Sequence, residues 1–205
     1  QIELLEALTG FETKNKYRVF NNLGQQVYFA KEESDCCMRY WCGPMRGFEM
    51  AITDNNGMEV MRFRREFKCC AGCCWCANAE CCAFVLHVEA PPGNPVGYVR
   101  QEQSAWKPNY CLYTTDDQVL ARIHGPCCIC NCPCCGDVEF PVMSPDDTNQ
   151  IGKVAKQWSG ALREWLTDAD TFSVSFPMDM DVRMKAVMVG ALFLIDFMYF
   201  EQKKN

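Results

Sequence analysis

Histidine is almost missing from this chain: His87 and His124 are the only two in 205 residues. That scarcity leaves little for imidazole catalysis, and both read better as structural residues, His87 in an alternating run and His124 ahead of the Gly125-Pro126 turn. A nucleophile elbow, a phosphate loop and a dinucleotide fingerprint are all lacking. The scattered carboxylates, Glu89 among them, form no paired acid–base constellation. An enzyme is therefore the most distant reading. Basic residues are in deficit, with 20 Lys and Arg against 26 Asp and Glu, a net charge of -6 and a pI near 5.0. That balance argues against a general nucleic-acid binder held by phosphate contacts. No run of about eighteen uncharged apolar residues occurs, so an ordinary polytopic helical transporter is excluded. Nor does the chain open on Met or a signal-peptide core; Gln1 is expected to begin a piece of a longer protein. What is present suffices for a single domain over residues 1–205, because 49% of residues are hydrophobic and 22% charged, a composition that can bury a sizeable core.

Cysteine is the excess. Seventeen thiols approach the density of a secreted disulfide scaffold, roughly 8%. Their distribution points elsewhere. They crowd into three patches, at Cys36, Cys37 and Cys42, from Cys69 to Cys82, and from Cys127 to Cys135, with Cys111 alone. Vicinal pairs such as Cys69-Cys70, Cys73-Cys74, Cys127-Cys128 and Cys134-Cys135 cannot bridge internally without strain. The count is odd, which leaves at least one thiol unpaired. A reducing compartment, with thiols used for acylation or for metal, is the better reading.

A recurring unit sets the fold. Tyr17, Val19 and Phe20 lead into Asn21-Asn22-Leu23-Gly24-Gln25, and Val27-Tyr28-Phe29 follow. Phe48, Met50 and Ile52 lead into Asp54-Asn55-Asn56-Gly57, then Val60-Met61. Tyr110, Leu112 and Tyr113 lead into Thr114-Thr115-Asp116-Asp117, then Val119-Leu120. Each is a β-rich run, a polar turn that tolerates positive φ, and a second β-rich run. Further strands are expected at residues 84–90, 96–101, 138–143, 151–155 and 172–176, enough for an antiparallel sheet to close into a barrel. Helix is concentrated at the end, from Asp181 through an apolar run to Phe200 broken only by Asp196. Asp179 or Asp181 can cap its start, and Lys203 and Lys204 suit its finish. Shorter helices are expected at 160–167 and 3–8. The uninterrupted part of the run, Ala186 to Ile195, falls well short of the ~20 residues that span a bilayer. Asp196 would add a cost of several kcal/mol there. A helix apolar on every side yet too short to span is read as buried inside the barrel, with Asp196 bonded to a donor.

Several stretches resemble the phospholipid scramblase family over nearly the whole chain. They include Leu8-Thr9-Gly10-Phe11-Glu12-Thr13, Ala90-Pro91-Pro92-Gly93, Pro95-Val96-Gly97-Tyr98-Val99, Cys134-Cys135-Gly136-Asp137-Val138 and the tail from Asp168 to Met198. The resemblance implies a tubby-like fold, a closed antiparallel barrel of about twelve strands around one hydrophobic helix. It also implies calcium-stimulated, bidirectional, ATP-independent movement of phospholipid between leaflets by a palmitoylated protein. The family's proline-rich amino-terminal tail is absent from this chain.

Three devices could hold such a domain at a membrane. The first is Cys69, Cys70, Cys73, Cys74 and Cys76, which resemble the family's palmitoylated segment. Exposed thiols beside Phe67 and Trp75 suit S-acylation, and several sites are needed because each buried methylene adds only about 0.8 kcal/mol. The competing reading is thiophilic metal: Cys70-x-x-Cys73 and Cys73-x-x-Cys76 have zinc-knuckle spacing, and Cys127, Cys130, Cys132 and Cys135 are the better candidate zinc set. The second device is the final helix, if it inserts. The third is the basic run Arg62, Arg64, Arg65 and Lys68, suited to anionic lipid.

The resemblance also places a calcium segment at residues 168–179. By position, Asp168 and Asp170 would supply carboxylates, Phe172, Val174 and Phe176 only backbone carbonyls, and Asp179 the last ligand. The chemistry is poor beside a proper EF-hand loop, and residues 172–176 alternate like a strand, which cannot wrap an ion. Lys153, Lys156 and Trp158 resemble the family's nuclear-import segment. The expected partners are a phospholipid membrane, anionic lipids above all, with protein partners and self-association; the cofactors are Ca2+, covalent palmitate and, on the metal reading, Zn2+. The domain is expected on the cytoplasmic side of a membrane, the plasma membrane first, and in the nucleus when unacylated. Scrambling is one reading of function. The other is an acylated, lipid-binding signalling adaptor.

Overall fold

The computed structural model describes residues 2–10, 16–33, 45–127, 129, 136–157 and 171–200. Twelve strands run in order: β1 Ile2–Gly10, β2 Lys16–Phe20, β3 Gln26–Glu33, β4 Phe48–Asp54, β5 Glu59–Arg65, β6 Val85–Glu89, β7 Pro95–Glu102, β8 Asn109–Tyr113, β9 Val119–His124, β10 Val138–Met143, β11 Gln150–Gln157 and β12 Thr171–Pro177. Helix α1, Val182–Ile195, follows and continues as a π-helical turn, Asp196–Phe200. Each strand pairs antiparallel with its neighbours in sequence. β1 pairs with both β2 and β12, so the meander closes and leaves no edge. Its thinnest seam joins β9 to β10, where only Ile123 faces Val142 and Arg122 faces Met143.

Alternation explains the wall. Tyr17 and Val19, then Phe48, Met50 and Ile52, then Val138, Phe140 and Val142 point inward and are buried, while their neighbours face out. The inward residues close on α1, in which every residue from Ala186 to Ile195 is buried. Tyr17 meets Phe193 edge-on at 4.9 Å, Phe48 stacks on Phe197 at 4.1 Å, and Phe200 lies between Phe140 and Phe172. The helix is apolar all round because wall surrounds it. Asp181 caps it, its Oδ1 accepting from the Arg183 N–H at 2.8 Å. Asp196, also buried, accepts a hydrogen bond from the Tyr17 hydroxyl at 2.6 Å. Both features match the expectation for a core helix. The helix expected at 3–8 is instead the middle of β1. Leu, Ala and Glu favour helix in isolation, but pairing with β2 on one side and β12 on the other prevails. The helix expected at 160–167 lies outside the described residues.

Parity sorts the connections. Those joining β2–β3, β4–β5, β6–β7, β8–β9 and β10–β11 are tight turns on one rim, each with a register slip beside it. Four share one design, in which a polar side chain at the first residue accepts backbone N–H groups and the fourth residue takes positive φ. The pairs are Asn21 with Gly24, Asp54 with Gly57, Thr114 with Asp117, and Ser144 with Asp147. The connections joining β3–β4, β5–β6, β7–β8, β9–β10 and β11–β12 leave from the opposite rim, and all but the short β7–β8 connection are long. By sequence, every thiol but Cys111 falls in these connections, and so do Trp41, Trp75, Trp106, Trp158 and Trp165, which are all the tryptophans of the chain.

Candidate functional site: the thiol and tryptophan rim

The connection between β5 and β6 is the best-defined part of this rim. Ala71, Ala77, Ala83 and Phe84 are buried and pin it to the barrel mouth. Backbone bonds clip it to the β7–β8 connection, from Ser104 N–H to the Cys74 carbonyl at 3.0 Å and from Gln101 N–H to the Phe84 carbonyl at 2.9 Å. Gln103 Nε2 donates to the Trp75 carbonyl at 2.9 Å, and Lys68 Nζ donates to the Glu80 carbonyl. Thus anchored, the loop presents Cys69, Cys70, Cys73 and Cys81 to solvent, with Cys74, Cys76 and Cys82 half-buried. All are free thiols; Cys69 and Cys70 sulfurs stand 3.6 Å apart, and those of Cys81 and Cys82 3.7 Å. Trp75 and Trp106 project together, 60% and 75% exposed, their rings edge to face at 5.5 Å.

The thiols are not equivalent. The Trp75 N–H, with help from the Cys76 thiol and N–H, holds the Cys73 thiol below its ordinary pKa. Cys70 is raised, chiefly by its hydrogen bond with Cys69. Cys82 is pushed up to about 11, chiefly by its bond with Cys81. Because the thiolate is the nucleophile, Cys73 is more nucleophilic at neutral pH than Cys70 or Cys82. Among the described residues, no group of three or more His, Cys, Asp and Glu is placed to hold a metal ion, so the knuckle spacing of Cys70, Cys73 and Cys76 does not close into a site. Cys127 is exposed, while Cys130, Cys132 and Cys135 lie outside the described residues.

Strand β12 runs through the middle of the calcium segment. Phe172, Val174 and Phe176 are buried in the barrel, and β12 is paired on both flanks, with β1 and with β11. Asp179 is exposed on the tight-turn rim beyond Pro177, at the far end of a seven-residue strand. At ~3.3 Å per residue that strand places about 20 Å between its two ends. Asp168 and Asp170 lie outside the described residues. Asp179 therefore cannot join ligands at the start of β12 around one ion, and the extended backbone, already bonded, offers it no loop.

Other sequence candidates divide. Arg62 and Arg64 face outward, and Arg62 pairs with Glu59 at 2.7 Å and Glu49 at 3.3 Å. Arg65 is buried. Its guanidinium lies 4.7 Å from the Phe48 ring centre and 4.4 Å from that of Phe84, with Nη2 donating to the Arg46 carbonyl at 2.8 Å. The expected basic surface run thus loses its third member to the core. Lys153 faces out and pairs with Glu139 at 2.6 Å. Lys156 is buried with Nζ 4.5 Å from the Phe200 ring centre, so it is not presented to an import receptor in this fold. Trp158 lies outside the described residues. Sequence reasoning missed the buried pair Arg46–Glu32, 3.0 Å apart, and passed over Trp106, whose one signal was a large aromatic in the polar stretch Ser104-Ala105-Trp106-Lys107-Pro108.

The outer wall bears Glu49, Arg62, Arg64, His87, Arg100, Arg122, Glu139 and Lys153. A lipid-facing strand carrying Arg or Lys at mid-bilayer depth loses about 2–4 kcal/mol for each, so this wall belongs in water. Among the described residues no helix is long and apolar enough to cross a membrane.

A plugged antiparallel barrel of this kind is the tubby-like architecture. The crystal structure of an Arabidopsis thaliana protein shares it, with a TM-score of 0.53 over 95% of this chain and 91% of that one, at 11% identity. The sequence profile of the scramblase family matches residues 1–202. Human phospholipid scramblase 1 is 50% identical over 98% of this chain and 61% of its own length, and bovine phospholipid scramblase 2 is 49% identical over 100% and 68%. A human phospholipid scramblase family member 5 is 43% identical over 98% and 72%. The chain belongs to the scramblase family. It spans about three fifths of the length of the first of these relatives.

Proposed function

We propose that the chain is the folded domain of a membrane-bound phospholipid scramblase, moving lipid in both directions between leaflets in response to calcium and without ATP. The observation that carries this reading is the family match along the whole chain; a rim with exposed free thiols supports thioester palmitate there. No bond-making chemistry is needed; the substrate is phospholipid, anionic species included. Cys73, with Cys69, Cys70, Cys74 and Cys76 beside it, is the first acceptor on this reading. Calcium acts through Asp168 and Asp170 rather than through a twelve-residue loop that includes Asp179. The test is reconstitution in vesicles carrying labelled phospholipid. Transfer in both directions on adding calcium, in buffer free of ATP, supports the proposal; membrane binding without transfer overturns it. Ala at Asp168 and Asp170 abolishes the calcium response, whereas Asp179→Ala leaves it intact.

One observation favours a second reading. The barrel interior is filled and its wall is charged, so a monomer offers no route for a head group. An acylated lipid-binding adaptor would need none. It predicts hydroxylamine-sensitive membrane association together with transfer no faster than in empty vesicles.

A further inference from the structure

We propose that the thiol rim docks on the bilayer interface through Trp75 and Trp106, with Phe67 and Met45 beside them, and that this contact forms without any acyl chain. The inference rests on the membrane reading above and deepens it by assigning a face and its anchors. Among the described residues, exposed large apolar side chains are confined to the two ends of the barrel. Met45, Phe67, Trp75 and Trp106 are 39%, 46%, 60% and 75% exposed on the thiol rim, and Leu23, Met58, Met178 and Val182 are 75%, 67%, 55% and 78% exposed on the other. Charge separates the two. The tight-turn rim carries Asp54, Asp116, Asp117, Asp146, Asp147, Asp179 and Asp181 around its aliphatic residues, with two cations beside them in the first turn of α1, Arg183 and Lys185, the latter donating to the Met178 carbonyl at 2.9 Å. Pressing that end onto phosphates would bring seven carboxylates against like charge and strip their water. On the thiol rim, the described connections hold Glu66, Glu80 and Asp137 against Lys68 and Lys107, Arg46 being buried against Glu32, so this end carries much less negative charge than the other.

The residue types agree with the charge. Tryptophan combines a large apolar ring with one N–H donor and concentrates where hydrocarbon meets head groups. Trp75 and Trp106 come from different connections, yet the clip between Cys74 and Ser104 holds them as one projection. A rigid pair loses little conformational freedom on insertion, which a pair of mobile loops would not match. Docked this way, Cys69, Cys70 and Cys73 lie at the interface, where an acyl chain can follow.

The experiment uses the full chain, unacylated, with vesicles of phosphatidylcholine and of phosphatidylcholine containing phosphatidylserine, read by co-sedimentation and by tryptophan quenching with brominated lipid. Trp75 or Trp106 replaced by Ala weakens partition by about tenfold, and the double variant is weakened further and loses the share of quenching that these two rings supply, while Leu23→Ala with Met58→Ala changes neither. Thermal unfolding confirms that the variants fold, as expected for side chains this exposed. A double variant that binds and quenches like wild type overturns the rim assignment and leaves the membrane reading standing. Loss of binding in the Leu23 and Met58 variant overturns it likewise. Wild-type unacylated chain that binds neither vesicle overturns the acyl-free contact and leaves attachment through palmitate standing.

Discussion

Replacing Gly190 by Leu separates a plug from a membrane helix by the sign of its effect. A Cβ at Gly190 would lie 2.8 Å from Val88 Cγ2 and 3.0 Å from Leu86 Cδ2. Ordinary carbon–carbon contact is about 3.5–4.0 Å, and both neighbours are 0% exposed, so neither can swing aside. Leucine adds three more carbons in the same direction. Overpacking of this kind costs about 1–3 kcal/mol, here the upper end. Leaving glycine behind in a helix returns about 0.8 kcal/mol. The net loss of roughly 2 kcal/mol lowers the melting temperature by about 4–8 °C for a domain of this size. In lipid the same substitution only adds helix propensity and apolar surface, so it would stabilise. Circular dichroism melts of the two proteins in aqueous buffer decide the matter, with Gly190→Ala falling between them. A Leu variant as stable as the parent, or more so, refutes the packing described here.

Tyr17→Phe removes a donor from the buried Asp196 carboxylate and lowers stability by about 1–3 kcal/mol, measured by urea titration with unchanged slope. Cysteine reactivity is expected to be ordered by environment. The depressed Cys73 thiol ionises first as pH rises, so its alkylation accelerates at lower pH than that of Cys70, and Cys82, pushed up to about 11, stays protonated longest. Peptide mapping after brief iodoacetamide treatment at stepped pH reads this order; Cys82 labelling ahead of Cys73 would contradict it. Arg62→Ala, which breaks an ion pair on the solvent face, shifts stability by less than about 1 kcal/mol, an effect that salt erases.

Local patterns carried most of the fold. Alternation marked the walls of β2, β4, β8 and β12, and Asn-Asn-Leu-Gly and Asp-Asn-Asn-Gly marked their turns, because each rule acts over a few residues. The helix at 182–200 was legible as buried because its length and its one carboxylate are numbers that a bilayer does not accept. β1 was not legible: its residues favour helix, and only partners at opposite ends of the chain override them. Arg65 and Lys156 were misjudged for a related reason. Each reads as surface charge in sequence, and only the fold supplies the aromatic rings of Phe48, Phe84 and Phe200 that cover it. In the resembling calcium segment, ligand spacing could not record that residues 171–177 form a strand, which sets Asp179 about 20 Å from the start of β12.

The plug also constrains how lipid could be moved. Withdrawing α1 into a bilayer would remove Val187, Met188, Val189, Leu192, Phe193, Leu194, Ile195 and Phe197 from the wall that buries them. At about 1.5–3 kcal/mol for each side chain, that burial is worth some 12–24 kcal/mol as an upper bound. Lipid would resolvate the helix, but the inner faces of the strands, Tyr17, Phe48, Phe63 and Phe140 among them, would face water instead. That half of the loss alone rivals the ~5–15 kcal/mol by which a whole domain is stable. Helix withdrawal is therefore equivalent to unfolding the barrel, and on the scrambling reading an intact monomer would have to act on lipid from outside. Since β12 ends on the tight-turn rim, α1 enters there, and its last turn emerges at the thiol rim, where the Tyr199 hydroxyl lies beside Cys74. The described chain thus ends, at Phe200, on the same rim that presents Cys69, Cys70, Cys73, Trp75 and Trp106, so the proposed bilayer contact would load one end of the barrel and leave the acidic end in solvent.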